Sequence, residues 1–247
     1  MFKSFLLIIL SILPTMLIGY FVYKKDKNKE PLEALITFFS LGIVSALFVI
    51  SVSFFLEKLI PFLGKSTYYM STIEFIIEVF FEIALIEEIS KWLVVYFVGY
   101  KNKEFDETYD IIVYAIFTAL GFATFENIQF VMEQSSLLLA VQRAIFSVPG
   151  HVAFAIFMSY YLCRAKISKL QKNVKEERKN IIMSIAVPTV AHAIFDFCLF
   201  ADKNIYLMIF YTFSIVLFLL AFERLKVLYK NNTSLLTIKK SNTNRQE

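Results

Sequence analysis

The hydrophobic positions of this 247-residue chain gather into seven long runs separated by short polar stretches, without the strict alternation that marks a half-buried strand. A helix needs roughly 20 apolar residues to cross the hydrocarbon of a bilayer. The runs predict spans near residues 5–23, 32–56, 73–99, 110–131, 137–162, 180–200 and 205–225. The expected fold class is all-α: a polytopic membrane protein of about seven transmembrane helices, with one helical domain over residues 1–229 and a disordered polar tail over 230–247. The third run is long and interrupted by glutamates, so a tilt, a break or a partly interfacial course is expected there. The longest connection, Arg164 to Lys179, leaves no room for a separate soluble domain.

Composition agrees with the pattern. Hydrophobic residues make up 58% of the chain and mean hydropathy is +0.64, against the about 45–50% apolar content of soluble domains. Lys3 precedes the first run, as in a signal peptide, but no small-x-small cleavage site follows, and the heavier cluster of Lys24, Lys25, Lys27 and Lys29 comes after it. It is therefore expected to be a true span. Of the 25 lysines and arginines, 19 fall in alternate connections and the tail, four fall on the opposite side, and Lys91 and Arg143 fall within spans. Cytoplasmic loops carry the basic excess, which predicts the amino terminus outside and the carboxyl terminus in the cytoplasm. The net charge of +4 then reflects topology and contact with anionic membrane lipid. The basic 164–179 loop interleaves acids and holds no nucleic-acid motif, so no nucleic-acid partner is expected. Cys163 and Cys198 lie at span ends on opposite predicted sides and read as packing residues.

The candidate chemistry lies in ionisable residues inside apolar runs, where each charge costs about 2.5–3.5 kcal/mol even on insertion scales and so marks a functional suspect. Glu87 and Lys91 are four apart and Glu88 and Lys91 three apart, which puts the lysine between two carboxylates on one helical arc. A neutralised structural ion pair is the plain alternative, but it leaves one negative charge over. Glu74, Glu78 and Glu82 continue at the same spacing, as a wet path or a solvated helix end. His192 and Asp196 share a face, either because Asp196 fixes the imidazole tautomer for packing or because both serve a site. His151 follows Pro149-Gly150, and Pro188 precedes His192 by four residues, so helix distortion is expected beside both histidines. They are the only two in the chain. Glu126, near the end of the fourth run, is either a site residue or an interfacial carboxylate. Glu87, Glu88, Glu126 and Asp196 in one pocket with Lys91 need a proton or a cation to balance them. Two histidines and a carboxylate suit a divalent metal such as zinc, with Glu126, His151 and His192 as candidate ligands. A metal-free site with a glutamate base is equally compatible with the residues. There is no glycine-rich nucleotide loop, no HExxH pair and no Gly-x-Ser-x-Gly elbow.

Glu87-Glu88-Ile89-Ser90-Lys91, Phe122-Ala123-Thr124-Phe125-Glu126-Asn127, Ser147-Val148-Pro149-Gly150-His151 and His192-Ala193-Ile194-Phe195-Asp196 resemble, in order, the motifs of the PrsW intramembrane protease family. The likeness runs from about Glu30-Pro31 to Asp196. That family is related to the type II CAAX prenyl endopeptidases and the abortive-infection membrane proteins, in which the first motif ends in arginine one residue later and histidine stands at the place of Glu126. The resemblance implies an intramembrane endopeptidase of the bacterial plasma membrane, making the site-1 cut in a single-pass anti-sigma factor near the outer face and so activating an extracytoplasmic-function sigma factor. Peptide hydrolysis needs a base, an oxyanion stabiliser and an acid. Glu87 or Glu88 is assigned as base, Glu126, His151 and His192 as positioners of water or metal, Asp196 as the orienter of His192, and Lys91 as support. A proton- or cation-coupled transporter using the same acids and histidines as a relay is the rival class, against which the lack of an internal repeat speaks weakly. A non-enzymatic membrane scaffold is a third.

Overall fold

In hydrocarbon no water is available to backbone N–H and C=O groups, so each apolar run must close its own hydrogen bonds as a helix. The computed structural model describes residues 2–63, 69–102, 105–201, 204–232 and 234–235. α1 (Phe2–Lys25) and α2 (Leu32–Leu59) are joined by a short charged turn, and α2 starts directly after Pro31. α3 (Thr72–Ile77) opens with a capping box, Ser71 Oγ accepting from the Glu74 N–H at 3.2 Å and Glu74 Oε2 from the Ser71 N–H at 2.8 Å. The helix then widens into a π-helical stretch (Glu78–Leu85), narrows as α4 (Ile86–Val94) and widens again (Val95–Tyr100). α5 (Asp110–Gln134) ends at Ser135 in the left-handed region, φ 48°. α6 (Leu137–Gln142) passes through a π-helical turn (Arg143–Ser147) into α7 (Val148–Leu170), followed by α8 (Val174–Phe200) and α9 (Asn204–Lys230).

Among the described residues, six stretches are long and apolar enough to cross a membrane: 3–25, 32–59, 110–134, 137–170, 174–200 and 204–230. The expected third span, 73–99, is a helical run of similar length that carries five glutamates and Lys91, and its regular α-helix is broken by the two π-helical stretches. Among the described residues no strand forms, and one isolated bridge pairs Glu107 with Ser234. The fold is all-α and polytopic.

α5 is the axis of the bundle: 78% of its apolar window is buried, against 22–39% for α1, α2, α8 and α9. α1 and α2 cover one flank of α5, α7 covers another, and α8 and α9 pack on α7. The outer faces of α1, α2 and α9 present Phe5, Leu13, Phe21, Phe54, Phe55 and Leu219, an apolar surface suited to lipid. α2 meets α5 at its closest approach through two glycines. A methyl at Gly42 would run into the Thr118 carbonyl, and one at Gly121 into the Phe39 carbonyl. Small residues let membrane helices approach until backbone meets backbone.

Of the tail expected to be disordered, Asn232 Oδ1 accepts from Thr108 Oγ1 and the Tyr109 N–H, both at 3.1 Å, and the Leu235 N–H donates to the Asp106 carbonyl at 2.7 Å. Residues 236–247 of that tail, and residues 64–68 of the connection between α2 and α3, lie outside the described residues. Cys163 and Cys198 are buried free thiols.

Candidate intramembrane active site

Glu87, Glu88 and Lys91 all project from α4 into the bundle, because spacings of three and four residues return to the same helix face. Lys91 Nζ donates to Glu88 Oε1 at 2.6 Å and lies 3.6 Å from Glu87 Oε2. It also donates to His151 Nδ1 at 3.3 Å and sits 4.4 Å from the centre of the Phe122 ring. Nothing in the spacing pointed to the contact with His151, since 60 residues separate the two. On the other side of α4, the Trp92 indole N–H donates to Ser184 Oγ at 2.9 Å, which locks α4 to α8 in register.

α8 continues through Pro188 and brings His192 and Asp196 to the same point. Both nitrogens of His192 face carboxylates, Nδ1 with Glu88 Oε1 at 3.0 Å and Nε2 with Asp196 Oδ2 at 3.1 Å, and Phe154 stacks on the ring at 4.6 Å. His151 lies one turn into α7, with Pro149, which has no N–H to lose, in the first turn and the π-helical stretch just before it. The two imidazoles cross with centroids 5.5 Å apart, so His151 and His192 share one site.

Glu126 does not face the solvent at a span's edge as an isolated carboxylate. Its Oε2 accepts from His151 Nε2 at 2.7 Å and pairs with Arg143 Nη2 at 2.9 Å. Arg143 in turn donates through Nε to Asn127 Oδ1 at 2.7 Å and covers the Phe130 ring at 4.4 Å. Neither Arg143 nor Asn127 carries an assigned role on sequence grounds. The available signal was Arg143 itself, a fixed cation inside an apolar run, which has to face a partner within the bundle.

Glu87, Glu126, Arg143, His151, His192 and Asp196 all line one cavity of about 490 Å³. Glu88 and Lys91 lie behind this wall, 0% and 3% exposed. Four carboxylates therefore meet two fixed cations. With neutral imidazoles, two negative charges remain for a divalent ion or for protons to balance. Glu87 Oε2 is a buried oxygen with no hydrogen-bond partner, and one ligand atom each from Glu87, His151 and His192 lie within 4.8 Å of one another. A carboxylate oxygen that accepts no hydrogen bond, beside two imidazoles, is a donor set that suits a divalent transition metal. The expected ligand set of Glu126, His151 and His192 differs from this cluster in one member: Glu126 is engaged by Arg143, and Glu87 stands next to the imidazoles.

The family model described as the PrsW family intramembrane metalloprotease matches residues 30–222. The chain is 36% identical to the Protease PrsW of Oceanobacillus iheyensis over 215 residues, covering 87% of this chain and 92% of that one. It is 32% identical to the Protease PrsW of Clostridioides difficile, with 89% and 90% covered, and 30% identical to that of Bacillus subtilis, with 82% and 85% covered. No solved structure matches it. A membrane-buried cluster of acids and histidines and these matches along most of the chain lead to one assignment: the chain belongs to the PrsW family of intramembrane proteases, as a multi-pass protein of the bacterial plasma membrane.

Proposed function

We propose that this chain is an endopeptidase that hydrolyses a peptide bond in a single-pass membrane protein near the outer face of the membrane, and that its substrate is an anti-sigma factor. The observation that carries the proposal is the convergence of Glu87, His151 and His192 on one wall of a cavity inside an otherwise apolar bundle. The asymmetric count of lysines and arginines supports the outer-face placement, because it puts Glu126, His192 and Asp196 toward the less basic side.

Glu87, His151 and His192 would hold a divalent ion such as zinc. Bound there, the ion would activate water and stabilise the oxyanion that forms on the scissile carbonyl. Glu87 would give one carboxylate oxygen to the ion and, standing on the cavity wall beside both imidazoles, would use the other to take the proton from the attacking water. Glu88 is already bonded to Lys91 and His192 and holds those two side chains in place. With His192 Nδ1 bonded to Glu88, Nε2 is the nitrogen it would offer the ion, so the proton taken from water would return to the leaving amine from Glu87 itself, while Asp196, 3.1 Å from Nε2, orients the ring. Arg143 holds Glu126, and Glu126 fixes the orientation of His151. A substrate helix must unwind to present its carbonyl, because helical hydrogen bonding occupies that oxygen.

The test is cleavage of a purified single-pass substrate in liposomes. Glu87→Ala, Glu88→Ala and His192→Ala should insert and stay monodisperse while cleavage is lost. Full cleavage by all three variants would overturn the proposal, and pH-driven solute uptake without proteolysis would establish the transporter reading. A cut mapped to the cytoplasmic half would overturn the outer-face placement.

A further inference from the structure

A second recess, remote from the acids and histidines, opens on the flank of the bundle between α1, α2 and α5. It holds about 190 Å³, and its walls include Thr15, Gly19, Tyr20, Tyr23, Leu35 and Phe117. Gly19 leaves the slot open: the nearest atoms a Cβ there would meet are the Leu120 and Phe117 side chains, at 3.4 and 3.7 Å, so any longer side chain would have to project along the slot.

Charge is sorted by sign at one end of this slot. In the turn after α1, Asp26 and Glu30 point inward and are 4% and 7% exposed. Asp26 accepts from the Asn28 and Glu30 N–H groups at 3.2 and 3.4 Å, and Glu30 accepts from the Tyr114 hydroxyl at 2.9 Å. Lys24 and Lys25 at the end of α1 and Lys27 and Lys29 of the turn are exposed, accompanied at the start of α2 by one exposed carboxylate, Glu33. Two of these lysines lie over aromatic rings that line the slot. Lys24 Nζ is 5.9 Å from the centre of the Tyr20 ring and Lys29 Nζ 4.9 Å from that of Tyr23, and both rings form the wall. Tyrosines of this kind sit at the level of lipid headgroups, with lysines reaching past them to the interface.

We propose that this recess binds one anionic phospholipid, with an acyl chain in the slot between α1, α2 and α5 and the headgroup phosphate held by Lys24 and Lys29. A zwitterionic lipid matches the slot but places its own cation against the lysines. A soluble phosphate matches the lysines but leaves the slot unfilled. Only a ligand that joins an apolar chain to a net negative head complements both halves.

Native mass spectrometry of the full chain in detergent tests this, with dioleoyl phosphatidylglycerol and dioleoyl phosphatidylcholine as competing probes. Lysines near an anionic headgroup supply about tenfold preference or more, so the wild type should retain one phosphatidylglycerol on the order of tenfold better than phosphatidylcholine. Lys24→Ala with Lys29→Ala should reduce that preference to parity, and the corresponding double arginine variant should keep it. Gly19→Leu should displace both lipids, whereas Gly19→Ala should displace neither. Equal retention of the two lipids by the wild type, a preference that survives the double alanine variant, or displacement of phosphatidylglycerol by inorganic phosphate alone would each overturn the proposal. The lysine pair decides even if Gly19→Leu disturbs α1, since both lysines are exposed and contribute to no core packing.

Discussion

Arg143→Ala removes the guanidinium that ties the end of α5 to the start of α7 beside the cavity. Two contacts are lost, Nη2 to Glu126 Oε2 at 2.9 Å and Nε to Asn127 Oδ1 at 2.7 Å, together with the cover over Phe130. Removing one partner of a fully buried ion pair costs about 3–5 kcal/mol, mostly through the charge left behind. Glu126 keeps His151 at 2.7 Å and its side chain is 19% exposed, so the expected loss is smaller, about 2–3 kcal/mol. Catalysis should suffer too. Groups that orient a ligand through another residue are worth about 10–100-fold in metal affinity or activity, and the cleavage rate should fall within that range. Arg143→Lys retains the charge but has no planar fork to reach Glu126 and Asn127 together, so it should recover stability only in part. Unfolding in mixed micelles and initial cleavage rates on the same preparations measure both effects. Wild-type stability and cleavage in Arg143→Ala would refute the reasoning.

Three further predictions address the bundle around the site. Gly121→Ala should destabilise by about 1–3 kcal/mol or more, because the new methyl meets the Phe39 carbonyl and a backbone cannot turn aside as a side chain can; an unchanged unfolding transition would contradict the glycine crossing of α2 and α5. Lys91→Met should cost about 2–4 kcal/mol, less than the full loss for an uncompensated buried charge, because Glu88 stays buried with His192 as its remaining partner, and adding Glu88→Gln should return part of that loss, so a strictly additive double mutant would show that the pair is not coupled. Glu30 lies outside the spans, and burial raises its carboxyl above the usual 4.5. Its folded form therefore holds a proton that the unfolded chain has released, so stability should fall as pH rises above about 4.5, and Glu30→Gln should flatten that slope in pH-dependent unfolding; identical slopes would rule out this carboxyl as the source.

The apolar runs made the helices legible because in a membrane hydrophobic length and secondary structure are the same constraint. Local pairs were legible for a similar reason: Glu88 with Lys91 and His192 with Asp196 follow from helical spacing alone. Contacts between distant segments were not. That Lys91 reaches His151, and that Glu88 joins Lys91 to His192, depends on how α4, α7 and α8 pack, and no single-helix periodicity encodes it. The π-helical stretches before Ile86 and Val148 were equally hidden, since a one-residue widening leaves apolar residues in apolar places. Arg143 could have been suspected from its setting, but its partner Glu126 lies on another helix. Asn232 and Leu235 belong to a polar tail, and their bonds to the 106–109 turn rest on tertiary proximity that composition does not reveal.

The metal content of active, detergent-purified protein, measured on the same sample as its cleavage rate, decides whether Glu87, His151 and His192 work through an ion. About one divalent ion per chain is expected, with parallel loss of ion and cleavage in His151→Ala and His192→Ala, and return of activity when chelated wild-type protein is resupplied with zinc. Full cleavage by a sample free of metal in the presence of chelator would rule out a metal at this site.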